Sequence, residues 1–341
     1  MNKFYRQHNG KVIETNSKFT HMMAISLDPR TNYKEGVVRC IVSREGDVQT
    51  KGYIDISELH KIKGDSLNFF QIGEKLNIKN TEEIIKQLKP EGFEFIGLED
   101  PDIWIDEKDD LLNLYFTFPL INKTEDEENK IHLGHAVGKN FSNLEMTMPI
   151  LQADEIGGAK ELSIAPINKK GFRYNLVESS KKEEDFTYSV VRLAIAEDMG
   201  KPLKFGEIVF HPKEHNISWI GGHASPGPLF SKNFINVGEG KLLGIMNGRE
   251  ANKKMEDGST KYGMFSVGFF VYDYENGEID WVSPEPFIQD SEAITITFAS
   301  QFIETKEGEG ILYTHVDDSF IRAYDLDSES IKLFLSENNF N

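Results

Sequence analysis

Short runs of apolar and aromatic residues recur along almost the whole chain, and Gly, Asn, Asp and Pro separate them. Runs bounded by such turn-forming residues are typical of β-strands. Long stretches with the helical period of 3.6 residues are rare, which excludes a fold of alternating strands and helices. The strands are predicted at Val37–Val42, Ile103–Ile105, Leu111–Phe118, His132–Val137, Tyr174–Val177, Tyr188–Ile195, Lys241–Met246, Phe265–Tyr272, Ile294–Phe298 and Ile311–Thr314.

One segment, Thr81–Leu88, is predicted to be an α-helix. Thr81 is a residue type that caps helix N-termini, and the acidic residues Glu82 and Glu83 suit the positive end of the helix dipole. Pro90 lies just beyond the predicted C-terminus, where a proline ends a helix.

The predicted strands fall into about five groups, which recur at roughly 60–70 residues. The groups start near His21, Glu99, Lys160, Gly222 and Ile294. Four-stranded units repeated around an axis are the pattern of a β-propeller. The sequence therefore predicts an all-β fold, a five-bladed β-propeller with four-stranded antiparallel blades, as one domain over residues 1–341. A large β-sandwich or two smaller β domains are the alternatives.

The charge balance restricts the partners. The chain of 341 residues has 38 Lys and Arg residues against 56 Asp and Glu residues, a formal net charge of −18. Nucleic acids and anionic membranes are bound by basic surfaces, so neither is expected as a partner. The N-terminus has no apolar signal segment and no apolar run has the length of a membrane span, so a cytoplasmic location is predicted.

The single cysteine, Cys40, excludes an intramolecular disulfide and a cysteine-based zinc site. Its apolar neighbours predict a buried core residue and not a nucleophile. Histidines and carboxylates do not cluster at metal-binding spacing, so neither a catalytic metal nor another cofactor is predicted.

Two acids at Glu99-Asp100-Pro101 lie between apolar runs, at the predicted start of a strand. Acids in such a place are costly unless they are solvated or paired. One interpretation is an acid in a cleft with a perturbed pKa. The other is a turn, because Asp-Pro is common in loops, and composition by itself favours the turn.

The segment Gly97–Ile103 resembles the Gly-x-Glu-Asp-Pro-Arg-Ile stretch of glycoside hydrolase family 130, which comprises five-bladed glycosidases and phosphorylases. Further segments resemble that family in the same order along the chain, over roughly residues 20 to 330. They are Val42–Glu45, Lys160–Ile167, Ser225–Leu229, Leu243–Gly248 and Leu312–Ile321. The resemblance implies a five-bladed propeller that acts on β-mannosides or related oligosaccharides. It also implies that Asp100 is the catalytic acid, acting through a sugar hydroxyl, and that Arg44, Lys160 and Asp318 line the pocket.

Two positions depart from the family pattern. Asp102 stands where the family has Arg, and Asn247 stands where it has His. Phosphate binding needs cationic donors, so their loss favours hydrolysis over phosphorolysis. Arg249 and Lys160 remain as cations, and phosphate stays open as a second partner. The alternatives are a glycoside phosphorylase and a carbohydrate-binding propeller that has lost catalysis.

Hydrolysis with inversion also needs a base, for which Glu161 is the first candidate, followed by Glu250 and Asp318. The predicted catalytic pair is therefore Asp100 and Glu161. The residues predicted to bind the substrate are Arg44, Glu45, Glu99, Asp102, Lys160, His223, Asn247, Arg249 and Asp318. Aromatic platforms for sugar rings are expected among Trp104, Trp219, Trp281, Tyr262 and Tyr313, although aromatic residues in β-proteins are more often in the core.

Overall fold

The computed structural model describes residues 4–50, 52–124, 128–153, 157–183 and 186–340. Most of these residues are in strands, which confirms the all-β prediction. None of the helices within the described ranges is long and apolar enough to cross a membrane.

The strands form five antiparallel groups that follow the chain, apart from β1 (Tyr5–Gln7), which joins the last group. The third and fourth groups belong to one eight-stranded sheet, because they are joined by a parallel pair between Ser189 and His223. Group 1 contains β2 (His21–Leu27), β3 (Glu35–Glu45), β4 (Ile54–Ser66) and β5 (Phe69–Lys75). Group 2 contains β6 (Phe93–Phe95), β7 (Glu99–Ile105), β8 (Leu112–Asn122), β9 (Lys130–Gly138) and β10 (Glu145–Met146). Group 3 contains β11 (Lys160–Ser163), β12 (Arg173–Glu183), β13 (Phe186–Ala196) and β14 (Lys204–Phe210).

Group 4 contains β15 (His223–Leu229), β16 (Lys241–Arg249), β19 (Phe265–Asp273) and β20 (Glu278–Val282), with the short hairpin β17 (Lys253–Lys254) and β18 (Thr260–Lys261) inserted. Group 5 contains β21 (Thr297–Lys306), β22 (Glu309–Val316) and β23 (Phe320–Asp327). The N-terminal strand β1 pairs with β23 and completes group 5 as its fourth strand, so the two ends of the chain meet in one sheet.

The groups pack in a cycle. The strands β2, β7, β11, β15 and β21 each contact the corresponding strand of the next group, and β21 contacts β2. Five hydrophobic clusters lie between successive groups, including one between groups 5 and 1, so each sheet is buried against both of its neighbours. Cys40 is fully buried in the cluster between groups 5 and 1, as its apolar neighbours indicate.

The predicted helix is present as α1 (Thr81–Leu88), but its predicted cap is wrong. Asn80 occupies the cap position in a left-handed conformation, and the Thr81 hydroxyl donates to the carbonyl of Ile78 at 2.7 Å. A second helix, α2 (Ser328–Glu337), was not predicted. It begins at the capping side chain of Asp327 and buries Ile331 and its apolar neighbours against the cluster between groups 4 and 5.

Strand β21 begins at Thr297, three residues later than predicted. The Asp317 carboxylate accepts the backbone N–H groups of Ile294, Thr295 and Ile296 at 2.8 to 2.9 Å. These bonds replace the strand pairing that the apolar character of the segment predicts.

Candidate active site

Each of the five first strands contains a β-bulge, where its register against the second strand shifts by one residue. In three successive groups the bulge contains a residue with a positive φ that is not glycine: Ala24 at 47°, Asp100 at 47° and Glu161 at 54°. This conformation is costly for such residues, and bulges of this kind are common beside active sites. Successive side chains of a strand normally point to opposite faces of the sheet, but a bulge brings two neighbouring side chains to the same face.

The bulged ends of these strands border a cavity of about 670 Å³. Glu99 and Asp100 line it from β7, and Lys160 and Glu161 line it from β11, so two adjacent residues of each strand contribute. The dipeptide Asp100-Pro101 is part of a strand, and the interpretation of this segment as a turn is therefore wrong. Pro101 is buried within the bulge, a place in a sheet where its missing N–H is tolerated.

The approach to β7 depends on a glycine. Gly97 has a φ of +115°, and a side-chain carbon at this position would lie 2.0 Å from the carbonyl oxygen of Ser57. Because Gly97 has no side chain, the backbone can pass close to Ser57 of β4 and enter β7 at the cavity two residues later.

Arg39, in the second strand of group 1, holds the two acids of β7. Its guanidinium donates to the Asp100 carboxylate at 2.8 Å and to the Glu99 carboxylate at 2.7 Å, and its Nε donates to Ser57 at 2.9 Å. The three side chains of Arg39, Glu99 and Asp100 are almost entirely buried. One cation therefore serves two neighbouring carboxyl groups.

The side chains from β11 form a second charged cluster. The Lys160 ammonium lies 3.3 Å from one oxygen of Glu178, and the His223 Nε2 lies 3.0 Å from the other. Glu178 is on the second strand of group 3 and is buried, so these two contacts link β11, β12 and β15 around one carboxylate. Burial lowers the pKa of His223 to about 4, although Glu178 acts in the opposite direction.

The carboxyl groups of this part of the cavity outnumber the cations. Burial raises the pKa of Glu99 to about 7, although Arg39 lowers it. Burial and the charge of Asp100 together raise the pKa of Glu161 well above its ordinary value. Burial disfavours the charged form of Lys160, but Glu178 and Glu161 raise the pKa of its ammonium above the usual range. The protonated form of Glu161 is therefore favoured over that of an exposed glutamate, while Lys160 stays charged.

Asp318 also lines the cavity, where it accepts a hydrogen bond from the Tyr53 hydroxyl at 2.8 Å and lies 3.2 Å from Nε2 of His315. Burial disfavours its charged form, but His315 and Tyr53 lower the pKa of Asp318 well below its ordinary value. Arg44 lies behind this wall, where it binds both oxygens of Asp55 at 2.7 Å and the backbone carbonyl of Asp318 at 2.9 Å. Asp318 is therefore an ionised acceptor that its neighbours hold in place.

Arg249 faces the cavity from the end of β16. Its guanidinium carbon lies 4.3 Å from the centre of the Tyr262 ring and 5.2 Å from that of Phe265. Tyr262 follows the hairpin β17–β18, and its backbone N–H donates to the carbonyl of Gln49 at 3.0 Å. The hairpin of group 4 and the loop of group 1 thus meet at the cavity, although group 5 lies between groups 4 and 1 in the cycle of contacts.

The structure brings together seven of the eleven predicted site residues. Those that line the cavity are Glu99, Asp100, Lys160, Glu161, His223, Arg249 and Asp318. Arg44 contacts lining residues from behind. Among the described residues, no group of three or more His, Cys, Asp and Glu side chains has the geometry to hold a metal ion.

The other predicted residues do not line the cavity. Both ends of the buried Asn247 amide bind the backbone of Ala299, at 2.8 and 3.1 Å, so Asn247 joins groups 4 and 5. Asp102 lies on β7 beyond the bulge, where burial raises its pKa to about 7. Glu45 is exposed at the end of β3, and Glu250, considered as a base, lies 3.5 Å from the exposed Lys253.

Of the five aromatic candidates, only Tyr262 lines the cavity. Trp219 is buried and donates its indole N–H to the carbonyl of Ser283, and the Tyr313 hydroxyl donates to the carbonyl of Leu67. Trp104 and Trp281 pack against hydrophobic clusters. The aromatic rings that line the cavity besides Tyr262 are those of Tyr53, Phe265 and Phe298.

Several side chains that line the cavity were not predicted, chiefly Arg39, Glu178, His315, Tyr53 and Asp55. Arg39 and Glu178 are on second strands and pair with residues at the bulges of the first strands. A charged residue within the apolar run Val37–Val42 was the available indication for Arg39, because buried charges are rare unless they are paired.

Comparisons with solved structures give the fold. A β-1,2-mannobiose phosphorylase from Listeria innocua superposes with a TM-score of 0.62 at 13% sequence identity, over 99% of this chain and 94% of that chain. A glycosyl hydrolase from Bacteroides ovatus gives a TM-score of 0.59 at 15% identity, over 92% and 85%. MPT-4, a mannose phosphorylase from Leishmania mexicana solved with a phosphate ion, gives 0.53 at 12% identity, over 96% and 91%.

No protein-family model and no curated protein sequence matches the chain. The structural likeness extends over nearly the whole chain. At these low sequence identities, it shows a shared fold. The chain therefore has the fold of these glycosidases and phosphorylases, and the resemblance to glycoside hydrolase family 130 is confirmed at the level of the fold.

Proposed function

We propose that the five strand groups are the blades of a closed five-bladed β-propeller, with the cavity at one end of its central channel. The cyclic contacts of β2, β7, β11, β15 and β21 support this architecture, and so does the hydrophobic cluster between groups 5 and 1. The pairing of β1 with β23 joins the N-terminal strand to the last group, which supports a closed ring of blades.

We propose further that the protein cleaves β-linked manno-oligosaccharides, and that it does so by hydrolysis. The observation that supports this best is the pair of acids Asp100 and Glu161, which two successive bulges present to one cavity. Glycoside cleavage generally uses two carboxyl groups that flank the bond, one protonated and one ionised. The mannose-containing compounds named for the structurally similar enzymes support the choice of sugar.

The environments of the two acids favour a division of roles. Glu161 has no cation at ion-pair distance among the described residues, and its raised pKa suits a group that gives a proton to the leaving oxygen. Arg39 provides Asp100 with a cation at 2.8 Å, which suits a carboxylate that takes a proton from water. The resemblance implies the reverse, with Asp100 as the acid, and a comparison of substrates separates the two assignments.

The pairing of cations favours water over phosphate as the attacking group. Arg39 is bound to Glu99 and Asp100, Lys160 lies beside Glu178, and Arg44 is bound to Asp55. A phosphate ion would have to compete with these carboxylates for donors and would lie close to several of them.

Incubation of the full chain with β-1,2-, β-1,3- and β-1,4-linked mannobiose, each with and without inorganic phosphate, tests the proposal. We expect free mannose to appear at the same rate in both conditions. Formation of mannose 1-phosphate only when phosphate is present would overturn hydrolysis in favour of phosphorolysis. That activity is the second candidate, because two of the enzymes that share this fold are named phosphorylases.

If no bond is cleaved but one disaccharide binds, the protein is a carbohydrate-binding propeller without catalysis. Isothermal titration with the same disaccharides makes this distinction. Parallel experiments with cellobiose test the choice of mannose, since a gluco-linked substrate differs from mannobiose in the orientation of one hydroxyl on each ring.

A further inference from the structure

Arg249 differs from the other cations of the cavity in its contacts. It has no carboxylate at ion-pair distance among the described residues, and its buried Nε has no hydrogen-bond partner. The rings of Tyr262 and Phe265 lie beside its guanidinium, and Tyr262 also forms a side-chain hydrogen bond with it, but the Nε donor stays without an acceptor. A buried donor without an acceptor is costly, so this arrangement indicates a missing partner.

The charges in the rest of the cavity restrict which chemical group can be the partner of Arg249. The cations Arg39 and Lys160 already have carboxylate partners at 2.7 to 3.3 Å. A phosphate dianion at Arg249 would have several acids near it and, among the described residues that line the cavity, no arginine or lysine besides Arg249 that lacks a carboxylate partner. A carboxylate carries a single charge, and its two oxygens match the two parallel N–H groups of a guanidinium.

We propose that Arg249 binds the carboxylate of an acidic sugar, so that the substrate is an oligosaccharide containing a hexuronic acid residue. The inference rests on the proposed function, because it assigns the substrate class of the same cavity. The remaining contacts of the sugar would be hydroxyl groups, for which the ionised Asp318 is an acceptor in the same cavity.

The local fold explains why Arg249 is available for this role. The aromatic contact with Tyr262 orients the planar guanidinium, and the hydrogen bond from the Tyr262 backbone to Gln49 fixes that ring at the cavity edge. A lysine in place of Arg249 would keep the charge but would lose the planar pair of parallel donors.

The test compares the binding of D-mannuronate and D-mannose to the full chain by isothermal titration, with inorganic phosphate as a third probe. We expect mannuronate to bind at least about 10-fold more tightly than mannose, as expected of a charge-assisted bidentate contact. Arg249→Gln should abolish that preference. Arg249→Lys should retain part of the preference, and Lys253→Gln is the matched control, since it removes an exposed cation that does not line the cavity.

Equal binding of mannuronate and mannose to the wild type would overturn the inference and leave the proposed function standing. A preference for mannuronate that survives in Arg249→Gln would also overturn it, and so would tight phosphate binding that this variant loses. If neither sugar binds the folded wild type the inference fails, and the proposed function fails with it if mannobiose is not cleaved either. The melting temperature of each variant without sugar shows that a lost preference does not come from unfolding.

Discussion

Replacement of Glu99 by Gln provides a quantitative test of the charge distribution in the cavity. The pKa of Glu99 is raised from 4.5 to about 7, because burial outweighs its attraction to Arg39. The native state therefore binds a proton at Glu99 over a pH range where the unfolded chain does not. Stability falls as pH rises wherever the native state binds more protons. Between pH 4.5 and 8, this one group should lower the free energy of unfolding by about 3 kcal/mol, at about 1.4 kcal/mol per pKa unit.

Glu99→Gln removes this titration but keeps an oxygen that accepts the hydrogen bond from Arg39. We would measure the free energy of unfolding of variant and wild type by urea titrations followed by tryptophan fluorescence. The difference between the two proteins should change by about 3 kcal/mol from pH 4.5 to pH 8, because only the wild type loses stability through this group. Glu278→Gln, at an exposed position of β20, should follow the wild-type curve. Parallel curves for Glu99→Gln and the wild type would refute the raised pKa and the explanation that rests on it.

Two further variants test the backbone and the contact between groups. At Glu161, where φ is +54°, Gly should be more stable than Ala by about 1 kcal/mol in guanidinium unfolding, the reverse of the order at ordinary strand positions. If Ala is the more stable of the two, the bulge is not strained. Asn247→Ala should lower the free energy of unfolding by about 3 kcal/mol, because it leaves the buried N–H and carbonyl of Ala299 without partners. Sugar affinity should be unchanged in that variant, whereas a ligand role for Asn247 predicts a loss of affinity at unchanged stability.

The strand groups could be predicted because each is a local pattern. Apolar runs and turn residues mark a strand within a few residues, and all five groups appear at the predicted places. Local contacts that compete with the pattern were not visible. The Asp317 carboxylate delays the start of β21, and its three N–H partners lie more than twenty residues away in sequence.

The site was predicted only where one segment contributes two neighbouring polar residues, as at Glu99-Asp100 and Lys160-Glu161. Those dipeptides lie at bulges, which a strict alternation of side chains does not predict. Arg39 could not be assigned from sequence, because its partners lie 60 and 61 residues away and only the packing of groups 1 and 2 brings them together. Asn247 shows the opposite case, in which a polar residue at a family motif position binds the backbone of a neighbouring group.

The most direct test of the central claim compares two substrates in the variants Glu161→Gln and Asp100→Asn. A substrate with a very good leaving group, 2,4-dinitrophenyl β-mannoside, needs no acid, whereas β-mannobiose needs both acid and base. With Glu161 as acid and Asp100 as base, Glu161→Gln should lose at least about 100-fold in turnover on mannobiose but only a few-fold on the aryl substrate, and Asp100→Asn should lose activity on both. The reverse pattern would assign the proton to Asp100. Near wild-type turnover of mannobiose in both variants would contradict the claim that these two acids carry out the reaction.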